Sequence, residues 1–232
     1  MRIEVLLVPV QKPRLDFYDL VVVIDTLRAT TVISKALESG AMGVYPVRSI
    51  SEARKIKGMV PSTILAGERK AFRIEGFDLG NSPSEFSPEK VSGKNVILTT
   101  TNGTKAVREF EKYGQVVAMA LANLKAVVRY SDKFKNILVV CSGSHGEVSL
   151  EDTYTAGRYI SFFEMPALND GGIVALSLSK KDPVEILKSA HHGRYLSENG
   201  MEEDLEAAVV ERDVIPILKE DSMNLKFFGG VK

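Results

Sequence analysis

Carboxylates recur where a buried apolar run gives way to small polar residues. Asp25 follows LVVVI (Leu20–Ile24), Glu151 and Asp152 follow NILVVCSGSHGEVSL, and Glu68 and Asp78 lie in LAGERKAFRIEGFDLGNSP (Leu65–Pro83). Between these acids stand Arg28, Arg69, the pair Asn81 and Ser82, and the turn Thr100, Thr101, Asn102, Gly103 and Thr104. Hydroxyls, amides and backbone N–H groups at helix starts make an anion cradle, to which the helix dipole adds partial positive charge. Arg28, inside the first such turn, can fork onto a phosphate or carboxylate. Acids beside a cradle of this kind repel the anion unless a cation lies between, and Mg²⁺ is the usual one. The expected metal ligands are therefore Asp25, Glu68, Asp78 and Asp152, with Arg28 as the catalytic cation. Oxygen donors, one cysteine and three histidines argue against zinc. The chemistry implied is metal-assisted phosphoryl transfer to water, or a phosphate-binding isomerase or lyase.

Each residue also has a plainer reading. Asp25 fits an N-cap or Asx-turn acid, and Asp152, three residues after Ser149, fits a capping box. Glu68 and Asp78 have Arg69 and Arg73 as surface ion-pair partners, and Arg28 has a reading as a solvated charge. Cys141 reads as a small core residue. His191 and His192 share a helix, where solvent or interface roles are common; His192 is the one assigned to substrate binding. Neither a nucleophile elbow, a P-loop nor a GxGxxG is present, and Leu27 stands where a DxD motif needs its second acid.

The elements that must position these groups follow an α/β rhythm. A strand over residues 2–9 precedes Leu20–Ile24, whose unbroken apolar run suits a strand covered on both faces. A helical pattern follows over residues 32–39, closed by Gly40, and then the strand Val44–Val47. Ser51 is the expected cap of a short helix to Gly58. Residues 64–66 read as a short strand feeding Leu65–Pro83, which carries neither helical nor strand periodicity. Phe72, Ile74, Phe77 and Leu79 anchor this stretch, and it reads as the floor of a site. From Asn95 the first pattern returns: strand, TTTNGT, a helix over residues 105–112, Gly114, and the strand Val116–Ala120. Aligning Gly40 with Gly114 sets Asp25 opposite Thr99, Arg28 opposite Asn102 and Thr30 opposite Thr104. Internal repetition and the general rhythm of α/β folds both account for this. A third strand–loop–helix ends near Phe163. Asp182, Pro183 and Glu185 open a helix expected to run to Gly200, and another spans residues 202–212. DVIPIL (Asp213–Leu218) reads as a strand that Pro216 confines to an edge or a strand end. The prediction is one domain over residues 1–232, an α/β/α three-layer sandwich with a mostly parallel sheet, with two lobes as an open option.

Basic and acidic residues number 30 each, which argues against a nucleic-acid surface. No apolar run approaches the ~20 residues of a membrane span. A single cysteine fits a reducing compartment, so a cytoplasmic location is expected, with a homodimer as the default assembly.

Taken together, IDTLRATT, GERKAFRIEGFDLGNSP, TTTNGT, EDTYTAG and SAHHGRYLSENG, in this order, resemble the 2-phosphosulfolactate phosphatase family from about residue 20 to 218. Two small departures stand out: Lys70-Ala71 replaces a more glycine-rich pair, and Thr26 stands where valine is common. The resemblance implies a Mg²⁺-dependent acid phosphatase of α/β/α type that converts (2R)-2-phospho-3-sulfolactate to sulfolactate and phosphate, a step on the route to coenzyme M. A substrate bearing phosphate, carboxylate and sulfonate suits a site shared among Arg28, Arg69, the TTTNGT turn, Asn81 and Ser82. The same residue types would serve another 2-phospho-2-hydroxy acid. A non-catalytic anion-binding protein is the alternative of a different class, and one that gains nothing from carboxylates beside its cradle.

Overall fold

The computed structural model describes residues 1–231. In chain order the first elements are β1 (Arg2–Leu6), β2 (Leu20–Ile24), α1 (Ala29–Glu38), β3 (Gly43–Pro46), α2 (Ile50–Lys57), β4 (Thr63–Arg69) and β5 (Phe72–Arg73). Next come α3 (Pro88–Val91), β6 (Asn95–Thr99), α4 (Gly103–Phe110), β7 (Gln115–Met119), α5 (Leu124–Ser131), β8 (Asn136–Cys141) and α6 (Leu150–Ile160). The chain closes with β9 (Ala167–Leu168), α7 (Asp170–Leu178), α8 (Pro183–Ser189), α9 (His191–Glu198), α10 (Glu203–Val209), β10 (Ile215–Glu220) and β11 (Lys226–Val231).

The strands form an 11-stranded sheet in the order β5-β4-β6-β3-β11-β10-β7-β2-β8-β1-β9. It contains two parallel blocks, β4-β6-β3 and β7-β2-β8-β1-β9. The antiparallel hairpin β10–β11 joins them, β10 against β7 and β11 against β3. Side chains of β2 alternate between two cores. Val21 and Val23 pack with α1 and α4 on one face, while Leu20, Val22 and Ile24 pack with α5, α6 and α7 on the other. That is the three-layer α/β/α sandwich the apolar runs predict.

Four local expectations change. Ser49, not Ser51, caps α2, its side chain accepting from Glu52 N–H. The start of the supposed structureless stretch is strand: β4 and β5 form a hairpin with Glu68 opposite Arg73 and Arg69 opposite Phe72. Ile74, Phe77 and Leu79 anchor its remainder in the core, but Phe72 is exposed. The single helix expected over residues 182–200 is two, because Ala190 takes an extended ψ of 145° and the chain turns back on itself there. DVIPIL supplies β10 inside the sheet, and Pro216, second in that strand, falls at the strand end that the sequence reading allowed. Pro216 is tolerated near the strand start because β10 is bridged to β7 only at Ile217, opposite Val117.

Helices α8–α10 form a cap with its own small core: Leu187, Leu196, Leu205 and Ala208 close over Leu27 and Ala71. The cap therefore rests on the β2–α1 turn and on the tip of the β4–β5 hairpin.

Candidate active site

Between the strand ends and this cap lies a cavity of about 210 Å³. The β2–α1 turn supplies Asp25, Leu27 and Arg28; the β4–β5 hairpin supplies Glu68, Lys70 and Ala71; the turn after β6 supplies Thr100, Thr101 and Asn102. Asn81, Ser144 and His145, with His191, His192 and Tyr195 of α9, complete the wall. All three histidines of the chain thus face one cavity. Thr101, Asn102 and His145 also border a wider depression of about 590 Å³ that carries Arg48, Lys105 and Glu109.

The strand ends have run out of ladder partners, and the acids take up the spare N–H groups. Asp25 Oδ1 accepts from Ala29 N–H at 3.2 Å. Glu68 accepts from Thr101 N–H at 2.7 Å and from Ala71 N–H at 3.0 Å, pinning the hairpin to the β6 turn. Asp152 accepts from Thr26 N–H at 2.9 Å and from Gly143 N–H at 3.1 Å, pinning the ends of β2 and β8. Its own N–H goes to the Ser149 hydroxyl, so Ser149 caps α6 while the Asp152 carboxylate turns toward the ends of β2 and β8.

Glu68 and Arg69 are consecutive on a strand and point to opposite faces. Glu68 lines the cavity, whereas Arg69 bonds the Thr99 hydroxyl at 3.1 Å and the Glu68 carbonyl at 2.5 Å. The two-residue hairpin tip, Lys70-Ala71, has φ of 54° and 68°, the left-handed geometry that favours glycine. Arg28 donates from Nη1 to Asp204 Oδ2 at 2.6 Å and from Nη2 to the Ala71 carbonyl at 2.6 Å. Its Nε is buried and has no partner, as has Asn81 Oδ1.

Asp25, Glu68, Glu151 and Asp152 are all buried, and among the described residues no lysine or arginine forms an ion pair with them. Loss of hydration and then the charges of Glu68 and Glu151 push Asp25 up to about 7, against the pull of the Ala29 and Gly103 amides. Asp152 is raised well above the usual carboxylate range by burial and then by Asp25 and Glu151, and burial raises Glu151 too. His192 is driven down to about 4 by burial and then by the Arg28 charge, which keeps its imidazole neutral.

A sequence model of the 2-phosphosulpholactate phosphatase family matches residues 6–221. The chain belongs to the 2-phosphosulfolactate phosphatase family. A relative from Caldanaerobacter subterraneus subsp. tengcongensis, named a probable 2-phosphosulfolactate phosphatase, is 41% identical over 210 residues, covering 86% of this chain and 87% of its own. Relatives of the same name from Thermotoga petrophila and Thermotoga maritima are 40% and 39% identical over 212 residues, each covering 89% of this chain and 92% of its own.

Of the residues the sequence singles out in this phosphatase-family chain, Asp25, Arg28, Glu68, Asn81, Thr100, Thr101, Asn102 and His192 meet in the cavity. Asp152 lies buried behind it, in electrostatic contact with Asp25. Five stand elsewhere. Asp78 is 43% exposed at its side chain, accepts from Leu65 N–H at 2.8 Å and pairs with Lys57 at 3.6 Å. Arg69 faces Thr99, and the Ser82 hydroxyl donates to Asp204. Thr104 is buried against Thr100. Gly103 packs under Asp25, where an added Cβ would run into the Asp25 carboxylate and the Ala29 methyl.

Sequence reasoning left Glu151, Asp204, Lys70, His145 and Tyr195 without a role in the site. Glu151 carried a signal in its place beside Asp152 at a helix start. Asp204 carried none, since its partner Arg28 is 176 residues away.

The donor set fits a hard divalent cation. Its carboxylates offer hard oxygen atoms and have no lysine or arginine ion-pair partner among the described residues, and the imidazoles of His145, His191 and His192 line the same cavity. Among the described residues no three His, Cys, Asp or Glu side chains are grouped to hold a metal by themselves. Mg²⁺ requires fewer, commonly keeping several waters and taking one or two carboxylates plus substrate phosphate. Among the described residues no helix is long and apolar enough to cross a membrane.

Proposed function

We propose that this protein hydrolyses the phosphate monoester of a 2-hydroxy acid, with 2-phosphosulfolactate as substrate and sulfolactate and phosphate as products, in the presence of Mg²⁺. The observation that carries this reading is the cluster of four buried acids without a basic partner, beside a free Arg28 Nε–H, in a chain of this family. Asp25 would hold the cation, with Glu151 or Asp152 as the second carboxylate. When bound, the ion neutralises charge on the phosphoryl oxygens.

The residues of the chain divide the remaining work. Arg28 Nε donates to a phosphoryl oxygen, and the side chains of Thr101 and Asn102, which line the cavity, add hydrogen bonds to the anion. Neutral His192 adds a hydrogen bond without adding charge. A water attacks phosphorus as a cavity carboxylate takes its proton, the P–O bond to the substrate's C2 oxygen breaks, and that oxygen takes a proton from the imidazolium form of His145 or His191. The alternative first step is attack by Asp25 Oδ itself, giving an acyl phosphate that water then opens. Trapping with hydroxylamine during turnover separates the two, because only the covalent route leaves an acyl phosphate on Asp25 to be captured. Sulfolactate release in a coenzyme M-type route is the metabolic setting that fits this reaction.

The test is phosphate release from 2-phosphosulfolactate with Mg²⁺ and with chelator. No release under any divalent cation overturns the reading, and equal turnover of 2-phospholactate or a phosphoglycerate removes the sulfonate from the assignment.

A further inference from the structure

Asp204, in the first turn of α10, is 2% exposed, and its Oδ2 lies 2.6 Å from Arg28 Nη1. Its Oδ1 accepts the Ser82 hydroxyl at 2.5 Å. The other terminal nitrogen of Arg28 donates to the Ala71 carbonyl, so both ends of the guanidinium are committed and only Nε is left unpartnered. A guanidinium is planar and rigid, so fixing its two terminal nitrogens fixes the direction of the third donor. A buried ion pair adds little net stability over a well-packed apolar pair, so stability alone does not account for this one. What it joins is telling: the Arg28 turn, the hairpin tip and the Asn81-Ser82 turn all border the cavity, and each is tied to the cap through Asp204 or its partner.

We propose that Asp204 is a positioning residue for the phosphatase reaction: it holds Arg28 so that Nε–H is aimed at an anionic oxygen of the substrate, and through Ser82 it sets the adjacent Asn81. The inference rests on the phosphomonoester reading above. In this arrangement Asp204 and Ala71 each engage one terminal nitrogen of Arg28, and Nε is the nitrogen that no protein atom engages.

Chemical rescue tests it. Arg28→Ala leaves a buried carboxylate facing a guanidinium-sized gap, so phosphate release should fall by about 10³-fold and recover at least about tenfold, saturably, with guanidinium ion at millimolar concentrations. The double variant Arg28→Ala with Asp204→Asn should show no recovery. Asp204→Asn alone should lower kcat by about 10²-fold with KM within about threefold, because a misaimed donor is lost mainly from the transition state. Equal rescue of the single and double variants overturns the positioning role, as does absence of rescue in a cooperatively melting Arg28→Ala protein. If Arg28→Ala does not melt cooperatively, Asp204→Asn decides, and a wild-type kcat there overturns the proposal. These failures leave wild-type turnover of 2-phosphosulfolactate intact, whereas a wild-type enzyme inactive on that substrate strikes the reading of function itself.

Discussion

The turn after β2 and the turn after β6 solve the same backbone problem with different side chains. In each, a threonine hydroxyl bridges the main chain of the first residue beyond the strand. Thr30 accepts from Asp25 N–H at 3.0 Å and donates to its carbonyl at 2.8 Å. Thr104 accepts from Thr100 N–H at 3.0 Å and donates to its carbonyl at 3.4 Å. In each, the side chain of that first residue also caps the N–H four positions on, Asp25 to Ala29 at 3.2 Å and Thr100 to Thr104 at 3.1 Å. The first turn is one residue longer and carries Asp25 and Arg28, while the second is neutral. Chain reversal into a helix is thus handled by threonine, and charge is an addition made in one copy only. Gly103 lets the two turns touch, bringing the neutral one against the Asp25 carboxylate.

Exchanging the charge should have the largest effect. Asp25→Asn is expected to lower phosphate release by about 10³-fold or more, whereas Thr100→Val, its counterpart, should cost about tenfold, as steady-state assays would register. Comparable losses at the two positions would erase the distinction between them.

The same variant should gain stability as it loses activity. With the Asp25 carboxyl raised to about 7 from 3.8, the folded state holds that proton more tightly than the unfolded state. The metal-free protein therefore loses stability as pH rises from about 4 through about 7, and the full penalty stands above that. Asp25→Asn, which cannot ionise, should be more stable than wild type by roughly 2–4 kcal/mol at pH 8 without divalent cations, with the difference closing near pH 4. His192 works in the opposite direction: held down to about 4 from 6.5, it withdraws stability as pH falls through that window. Since both proteins keep His192, denaturant titrations of the pair at several pH values isolate Asp25. Added Mg²⁺ should narrow the gap at pH 8.

The contact between the turns comes next. Gly103→Ala forces a methyl against Asp25 and Ala29, and a loss of about 1–3 kcal/mol with reduced activity is expected in melting and rate measurements. Thr30→Val and Thr104→Val should each cost about 1–2 kcal/mol, and near-equality is what a shared role demands. The smallest effect belongs to the hairpin tip. Lys70→Gly relieves a φ of 54° and should raise stability by up to about 1 kcal/mol, while removing a cavity-lining cation and so lowering turnover.

Much of the sandwich was legible because LVVVI, the VIL of NVILT and the ILVVC of NILVVC are continuous apolar runs, which suit strands covered on both faces. Of the hairpin β10–β11, the first strand was legible in DVIPIL, but β11 was not, since KFFGGV carries two glycines and the hairpin's place between the parallel blocks is a long-range pairing. Among the residues that line the cavity, Asp25 and the TTTNGT turn were legible from their positions at strand ends, and Glu68 from the charged stretch Leu65–Pro83. Asp78 was misleading: it shares its stretch with Glu68, yet it lies on the outward side and caps Leu65.

The residue types at the strand ends, and with them the expectation of acids beside an anion cradle, are properties of the sequence, because a continuous apolar run places the next polar residue at the end of the strand. Which acids converge, which arginine faces in, and that Asp204 holds it were decided by tertiary structure. Those outcomes depend on strand alternation, on the return of α8–α10 over Leu27 and Ala71, and on a pairing of charges 176 residues apart, none of which leaves a local periodicity to read.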